Sequence, residues 1–181
     1  MADNGTDELE QMYQEVILDA SRHPHGKGVL PADDAGTTDG EATVAAPHEA
    51  CSAARSHQFN PTCGDEVTVH VEVGRDEPHR IEDIVWDGQG CSISQASLSI
   101  MVDLVRGRTV DEAMHLFDGF HALMSSRGAG LDDEEAMDEL GDATVFQGVS
   151  KYPMRIKCAL LGWEGLKDSM AKALAAQRRA S

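Results

Sequence analysis

An α+β fold, a small antiparallel sheet of about three strands covered by helices, is predicted by three features of the 181-residue sequence. Apolar and polar residues alternate in one stretch only, between Asp65 and Asp87. Helical periodicity runs from Ile93 almost to the C-terminus, and one further helical stripe precedes the strands. No internal repeat breaks this order of strands early and helices late.

The elements follow in turn. Asp7 and Glu10 read as a helix start, after which Leu9, Met12, Tyr13, Val16, Ile17 and Ala20 share one helical face up to His23-Pro24. From His25 to about His57 Gly, Ala, Asp, Thr and Pro follow one another without a period, so a mobile, irregular loop is expected, centred on residues 31–57. Asp65 to Val73 places Val67, Val69, Val71 and Val73 on one face and Thr68, His70 and Glu72 on the other, a half-exposed strand. Gly74 to His79 turns the chain, and Arg80 to Asp87 returns with Ile84 and Trp86 in phase but Ile81 out of phase, which predicts a bulge near its start. The residues just before Asn60 are available as a third strand.

Gly88-Gln89-Gly90 ends this hairpin. Ile93, Ala96, Ser97, Ile100, Met101 and Leu104 then form a helical stripe up to Gly107, with Cys91 at or beside the N-cap. Thr109 and Glu112 make a capping box for a helix whose inward face is Ala113, Phe117, Phe120 and Met124. A short acidic helix from Asp132 to Leu140 leads through Gly141-Asp142 to the last helix, which starts at Lys151-Tyr152-Pro153 and buries Ala159, Trp163, Leu166, Met170 and Leu174. Cys158 falls about one turn inside it. The whole, 1–181, reads as a single domain.

Fifteen basic residues against thirty-two acidic ones give a net charge of -17, which opposes binding to nucleic acid or to an anionic membrane and favours a basic protein surface as partner. No apolar run reaches membrane-spanning length, and the acidic N-terminus is unlike a signal peptide, so a cytoplasmic location is expected. In a reducing compartment, four cysteines point to metal binding or thiol chemistry rather than to disulfides.

The chemistry concentrates around the turn Asn60-Pro61-Thr62-Cys63-Gly64-Asp65. Zinc takes thiolate and carboxylate ligands in a tetrahedron, and Cys63, Asp65, Cys91 and Cys158 form such a set without any histidine. A carboxylate is harder than a thiolate, so one ligand of this set is open to displacement. Helix starts at Cys91 and Cys158, with Arg155 and Lys157 flanking the latter, favour thiolate there. The plainer alternative is that three scattered cysteines are buried small hydrophobes. Gly88-Gln89-Gly90 lacks the Lys of a phosphate cradle and more simply lets the backbone turn beside a ligand. Cys51, with His48 and His57, is a second ligand set, a resolving thiol or an exposed bystander, the last being favoured. His70 and His79 are expected to face solvent on the hairpin, and Asp132 to Glu135 to be a solvated helix start.

Taken jointly, Asn60 to Asp65, Gly88-Gln89-Gly90-Cys91-Ser92-Ile93-Ser94 with Ala96-Ser97, Gln147-Gly148-Val149, and Tyr152-Pro153 leading into Arg155-Ile156-Lys157-Cys158 closely resemble SufU proteins. These belong to the iron-sulfur assembly superfamily that also holds the scaffold IscU. The first helix and Gly26-Lys27-Gly28-Val29-Leu30 resemble the family's N-terminus, so the resemblance covers nearly the whole chain.

It implies an IscU/SufU-like fold and a zinc-dependent sulfurtransferase of the SUF pathway. Cys63, Asp65, Cys91 and Cys158 would bind zinc and Cys63 would accept persulfide sulfur; the charge of Arg155, read from its place beside Cys158 rather than from the resemblance, would assist the anion. The implied donor is a SufS-like, pyridoxal-phosphate cysteine desulfurase, one of whose histidines would replace Cys63 as ligand, and downstream iron-sulfur scaffold proteins would be the other partners. The alternative is a scaffold on which an iron-sulfur cluster is assembled and transferred, with iron or a cluster in place of zinc. Lys157 where IscU scaffolds carry histidine, the absence of their Leu-Pro-Pro-Val-Lys stretch, and the block around Leu131 to Gly148 favour the SufU branch. The longer segment from about Pro31 to His57, with Cys51, departs from the family pattern.

Overall fold

A computed structural model of the protein describes residues 4–31 and 50–180. Helix α1 (Asn4–Arg22) precedes three strands, β1 (Cys51–Asn60), β2 (Asp65–Gly74) and β3 (Ile81–Gln89). Then follow α2 (Ser92–Val105), α3 (Val110–Ser125), α4 (Glu134–Leu140), a 3-10 segment (Gly141–Lys151) and the long α5 (Pro153–Ala180). The strands form one antiparallel sheet in the order β1-β2-β3, as the α+β prediction requires. No described helix is long and apolar enough to cross a membrane.

One face of the sheet belongs to the core. Val67, Val69, Val71 and Val73 on β2 are buried with Ile84 and Trp86 on β3, and α5 is pinned across them where Ser169 Oγ donates to the Val69 carbonyl at 3.0 Å. Helix α5 joins α2 through a buried relay in which Ser97 Oγ donates to the Ala159 carbonyl at 2.6 Å and lies 3.2 Å from Trp163 Nε1. Phe120 stacks on Trp163 at 4.7 Å and meets Phe146 edge-on at 5.8 Å, so α3 and the 3-10 segment close the same core. The register shifts between Glu72 and Val73, where Ile81 rather than Glu82 faces Val73, which is the expected bulge near the start of β3. The Thr109–Glu112 capping box is present at α3.

Three expectations need correction. The irregular segment ends earlier than His57, because Cys51 to His57 pair with Thr68 to Gly74 as part of a ten-residue strand. At its other end, Gly26 and Gly28 exchange backbone hydrogen bonds with Trp86, so the chain after α1 is tied to the edge of β3. Residues 32–49 of that loop, with His48, lie outside the described residues. Second, β2 is not half-exposed: His70 and Glu72 are 0% exposed, and His79 lies half-buried with Nδ1 3.0 Å from the Gly74 carbonyl. Alternation reports which residues share a face, whereas covering of the polar face depends on the rest of the chain. Third, the apolar stripe of α1 is only partly used: Ile17 is buried, but Leu9, Met12 and Val16 remain 45%, 61% and 40% exposed.

Candidate metal centre

The β1–β2 turn is built by its own residues. The Gly64 N–H donates to the Asn60 carbonyl at 2.8 Å, and the Thr62 N–H donates to Asn60 Oδ1 at 3.1 Å, an Asx-type closure. Gly64 takes the left-handed φ of 75° that lets the chain reverse between Cys63 and Asp65. Cys63 is thereby held out on an exposed tip, while Asp65, the first residue of β2, is buried. Asn60 is buried too, and its Nδ2 has no hydrogen-bond partner among the described residues.

Strand β3 delivers Cys91 from the other side. Cys91 is the N-cap of α2, and its N–H donates to Asp65 Oδ1 at 2.9 Å while its Sγ lies 3.4 Å from Oδ2. The carboxylate thus satisfies one of the free N–H groups at this helix start. Gly90 permits the approach: a Cβ there would lie 2.3 Å from Ser94 Oγ and 3.0 Å from the Asp65 carboxyl carbon. Gln95 Nε2 donates to the Gly90 carbonyl at 2.8 Å and Ser94 Oγ to the Cys91 carbonyl at 3.0 Å. Ser94 entered the sequence reading only as part of the family motif, and Gln95 was not singled out; its only signal was its position in the first turn of α2.

Helix α5 contributes Cys158, buried in its second turn, with Sγ 3.3 Å from Cys63 Sγ. Donor atoms of Cys63, Asp65 and Cys158 all lie within 4.8 Å of one another, and Cys91 joins them through Asp65. All four residues singled out from the sequence therefore converge. Burial alone would raise the Asp65 pKa, but hydrogen bonds from Cys63, the Cys91 N–H, Cys158 and the Cys91 thiol outweigh it and hold the carboxyl below its ordinary value. Cys158 goes the other way. Burial, then its hydrogen bonds with Cys63 and Asp65 and the nearby Cys91 and Asp65 charges, push its thiol far above the ordinary value. The start of α5 therefore does not by itself favour thiolate there, contrary to expectation; a cation in the site would be needed to ionise it. Two thiols and one ionised carboxylate converging beside a glycine cradle, with the Cys91 thiol against the carboxylate, fit zinc, whose ligands are of these types.

The remaining candidates make other contacts. The Arg155 guanidinium sits 4.8 Å over the Tyr152 ring and lines a cleft of about 260 Å³ between α1 and the 3-10 segment, with Tyr13, Ile17, Gln147 and Val149 among the other walls. Cys51 opens β1 at the end opposite Asn60 and is buried rather than an exposed bystander, its thiol pKa raised first by burial and then by Glu72 and Glu82. His57 is occupied across the sheet, with Nε2 3.1 Å from Glu66 and Nδ1 3.0 Å from Thr68 Oγ1.

This sheet with helices and a Cys/Asp/Cys group at its turn end define an iron-sulfur-assembly type of domain, and the chain belongs to the family of the NifU-like N-terminal domain, whose profile matches residues 12–159. It is similar to the iron-sulfur cluster assembly scaffold protein IscU of Streptococcus pyogenes serotype M1, 36% identical over 93% of this chain and 89% of the relative. It is also similar to the zinc-dependent sulfurtransferase SufU of Bacillus subtilis (strain 168), 34% identical over 91% of this chain and 92% of that one. Among solved structures, a SufU from the thermophile Fervidobacterium islandicum AW-1, described as an iron-sulfur cluster assembly scaffold for the SUF system, superposes with a TM-score of 0.61. That pair is 30% identical over 86% of this chain and 94% of the other.

Proposed function

We propose that the protein is a zinc-dependent sulfurtransferase of iron-sulfur cluster assembly, taking persulfide sulfur from a SufS-like cysteine desulfurase and handing it to downstream scaffold proteins. The observation that carries this reading is the contrast between Cys63, on an exposed turn tip, and the buried donors Asp65 and Cys158 behind it. The SufU relative, named a zinc-dependent sulfurtransferase, supports it.

Cys63, Asp65, Cys91 and Cys158 would hold the zinc. The ion would supply the positive charge that keeps the ligand thiols ionised, above all the buried Cys158. The turn presents the Cys63 sulfur to solvent and to a docking donor, and Asp65 orients Cys91 through its N–H. In the transfer, the Cys63 thiolate attacks the outer sulfur of the donor persulfide. The donor's S–S bond breaks, its cysteine leaves as thiolate, and a new S–S bond makes Cys63 the persulfide. Arg155 adds positive charge at the rim through space rather than by contact, since its guanidinium is engaged with Tyr152.

The test is a desulfurase assay with metal analysis. The parent chain is expected to hold about one zinc and to stimulate sulfur release, and Cys63→Ala to abolish stimulation; full stimulation by Cys63→Ala would remove Cys63 from the role. The second reading, a cluster scaffold, is favoured by the Cys63, Asp65 and Cys158 donor group with the Cys91 thiol beside Asp65, and by the name of the Streptococcus relative. Anaerobic reconstitution decides between them: a transferable cluster supports the scaffold, and a chain that keeps zinc and yields none excludes it.

A further inference from the structure

We propose that Cys63 and Cys158 are a built-in redox pair, closing into a reversible disulfide when the metal-free chain meets hydrogen peroxide. Their sulfurs are 3.3 Å apart, and an S–S bond of about 2.0 Å asks them to approach by roughly 1 Å more. Cys63 rides on a four-residue turn open to solvent, so the oxidant reaches it and the turn supplies the movement; Cys158 is fixed on α5. The two other cysteines make other contacts. Cys91 directs its sulfur to Asp65 Oδ2 and to Ser94 Oγ, and lies outside the group whose donor atoms are all within 4.8 Å of one another. Cys51 is buried at the opposite end of β1.

The chemistry balances with one equivalent of peroxide. The Cys63 sulfur attacks a peroxide oxygen, the O–O bond breaks, and Cys63 becomes a sulfenic acid while the departing oxygen takes up the thiol proton as water. The Cys158 sulfur then attacks the Cys63 sulfur. The S–S bond forms, the S–O bond breaks, and the hydroxyl leaves with the Cys158 proton as a second water. Each thiol loses one electron and the peroxide gains two. A dithiol reductant reverses the bond. Zinc held by the same sulfurs would withhold them from the oxidant, so metal loss exposes the switch. The bond rests on the geometry alone; its consequence, a chain that neither accepts sulfur nor rebinds metal until reduced, rests on the sulfur-acceptor reading above.

The experiment treats the full-length protein, zinc-loaded and chelator-treated, with hydrogen peroxide, then blocks free thiols with a maleimide and maps peptides by mass spectrometry. The expected product is a single intramolecular cross-link between the Cys63 and Cys158 peptides. It should form at least about tenfold faster without metal and vanish with dithiothreitol, leaving Cys51 and Cys91 alkylated. Cys91→Ser should retain the cross-link, and Cys158→Ser should instead leave a Cys63 sulfenic acid that dimedone traps. A Cys63–Cys91 bond, or sulfinic acid at Cys63 in place of any disulfide, overturns the proposal. If circular dichroism shows that chelation unfolds the chain, the zinc-loaded protein is followed under peroxide, where zinc release must accompany the same cross-link; release without it counts against the pair. This map is independent of the desulfurase assay, so either reading can fail alone.

Discussion

At Gly90 the chain leaves no room for a side chain between Ser94 and Asp65. Because a Cβ there would collide with Ser94 Oγ and press on Asp65, Gly90→Ala should move the carboxylate and lower zinc affinity by about 10–100-fold, measured by competition with a chromophoric chelator. Arg155 tests a weaker, longer-range effect. Arg155→Gln is expected to slow persulfide acceptance only about two- to fivefold and to flatten its dependence on salt, in a desulfurase assay run across ionic strength. A loss as large as that of Cys63→Ala would show that Arg155 leaves Tyr152 and meets the reacting sulfurs directly.

At the scale of elements, the site depends on the α2–α5 contact, since each helix carries one of its cysteines. Ser97 holds that contact with hydrogen bonds to the Ala159 carbonyl and Trp163 Nε1, one residue from Cys158 in sequence. Ser97→Ala strips the buried indole and carbonyl of this partner and should cost about 1–3 kcal/mol in urea unfolding. Thr109→Ala, which removes a capping box on the surface at the end of the sheet opposite the Cys63 turn, should cost about 1 kcal/mol and leave zinc content unchanged. The elements were unequally legible. β2 announces itself through four valines in alternation, and α3 through its cap, because both signals are local. β1 does not, because the side chains that it turns toward the core, Ser52, Ala54 and Ser56, are small, and its polar positions give no period. Its strand state comes from pairing with β2 and from α5 lying over it, where Lys172 reaches the Arg55 carbonyl at 3.3 Å.

Across the whole molecule, the buried far face of β2 makes stability depend on pH. Burial lowers the His70 pKa, with Arg55 acting the same way and Glu72 and Asp83 opposing. The folded chain thus keeps His70 neutral while the unfolded chain binds a proton below about 6.5. The unfolded state then holds more protons, so the His70 contribution is intact above that pH and is lost as pH falls toward the depressed folded value. Comparing urea midpoints at pH 7.5 and 5.5, the parent should lose more stability than His70→Gln. The acidic excess of the chain titrates in both, so equal slopes would remove His70 from the account.

By itself the sequence determined the donor types and their local settings: a thiol on a glycine turn, a carboxylate at a strand start, a thiol at a helix N-cap and another early in the last helix. These are short-range matters of turn, cap and period, governed by residues a few positions apart. Tertiary structure decided the rest. It brought Cys158 to 3.3 Å from Cys63, buried it so that its thiol holds its proton, and turned Arg155 onto Tyr152. It also covered His70 and left the stripe of α1 in part exposed. Burial and desolvation depend on which segments pack over a group, and that is set by contacts between residues far apart in the chain.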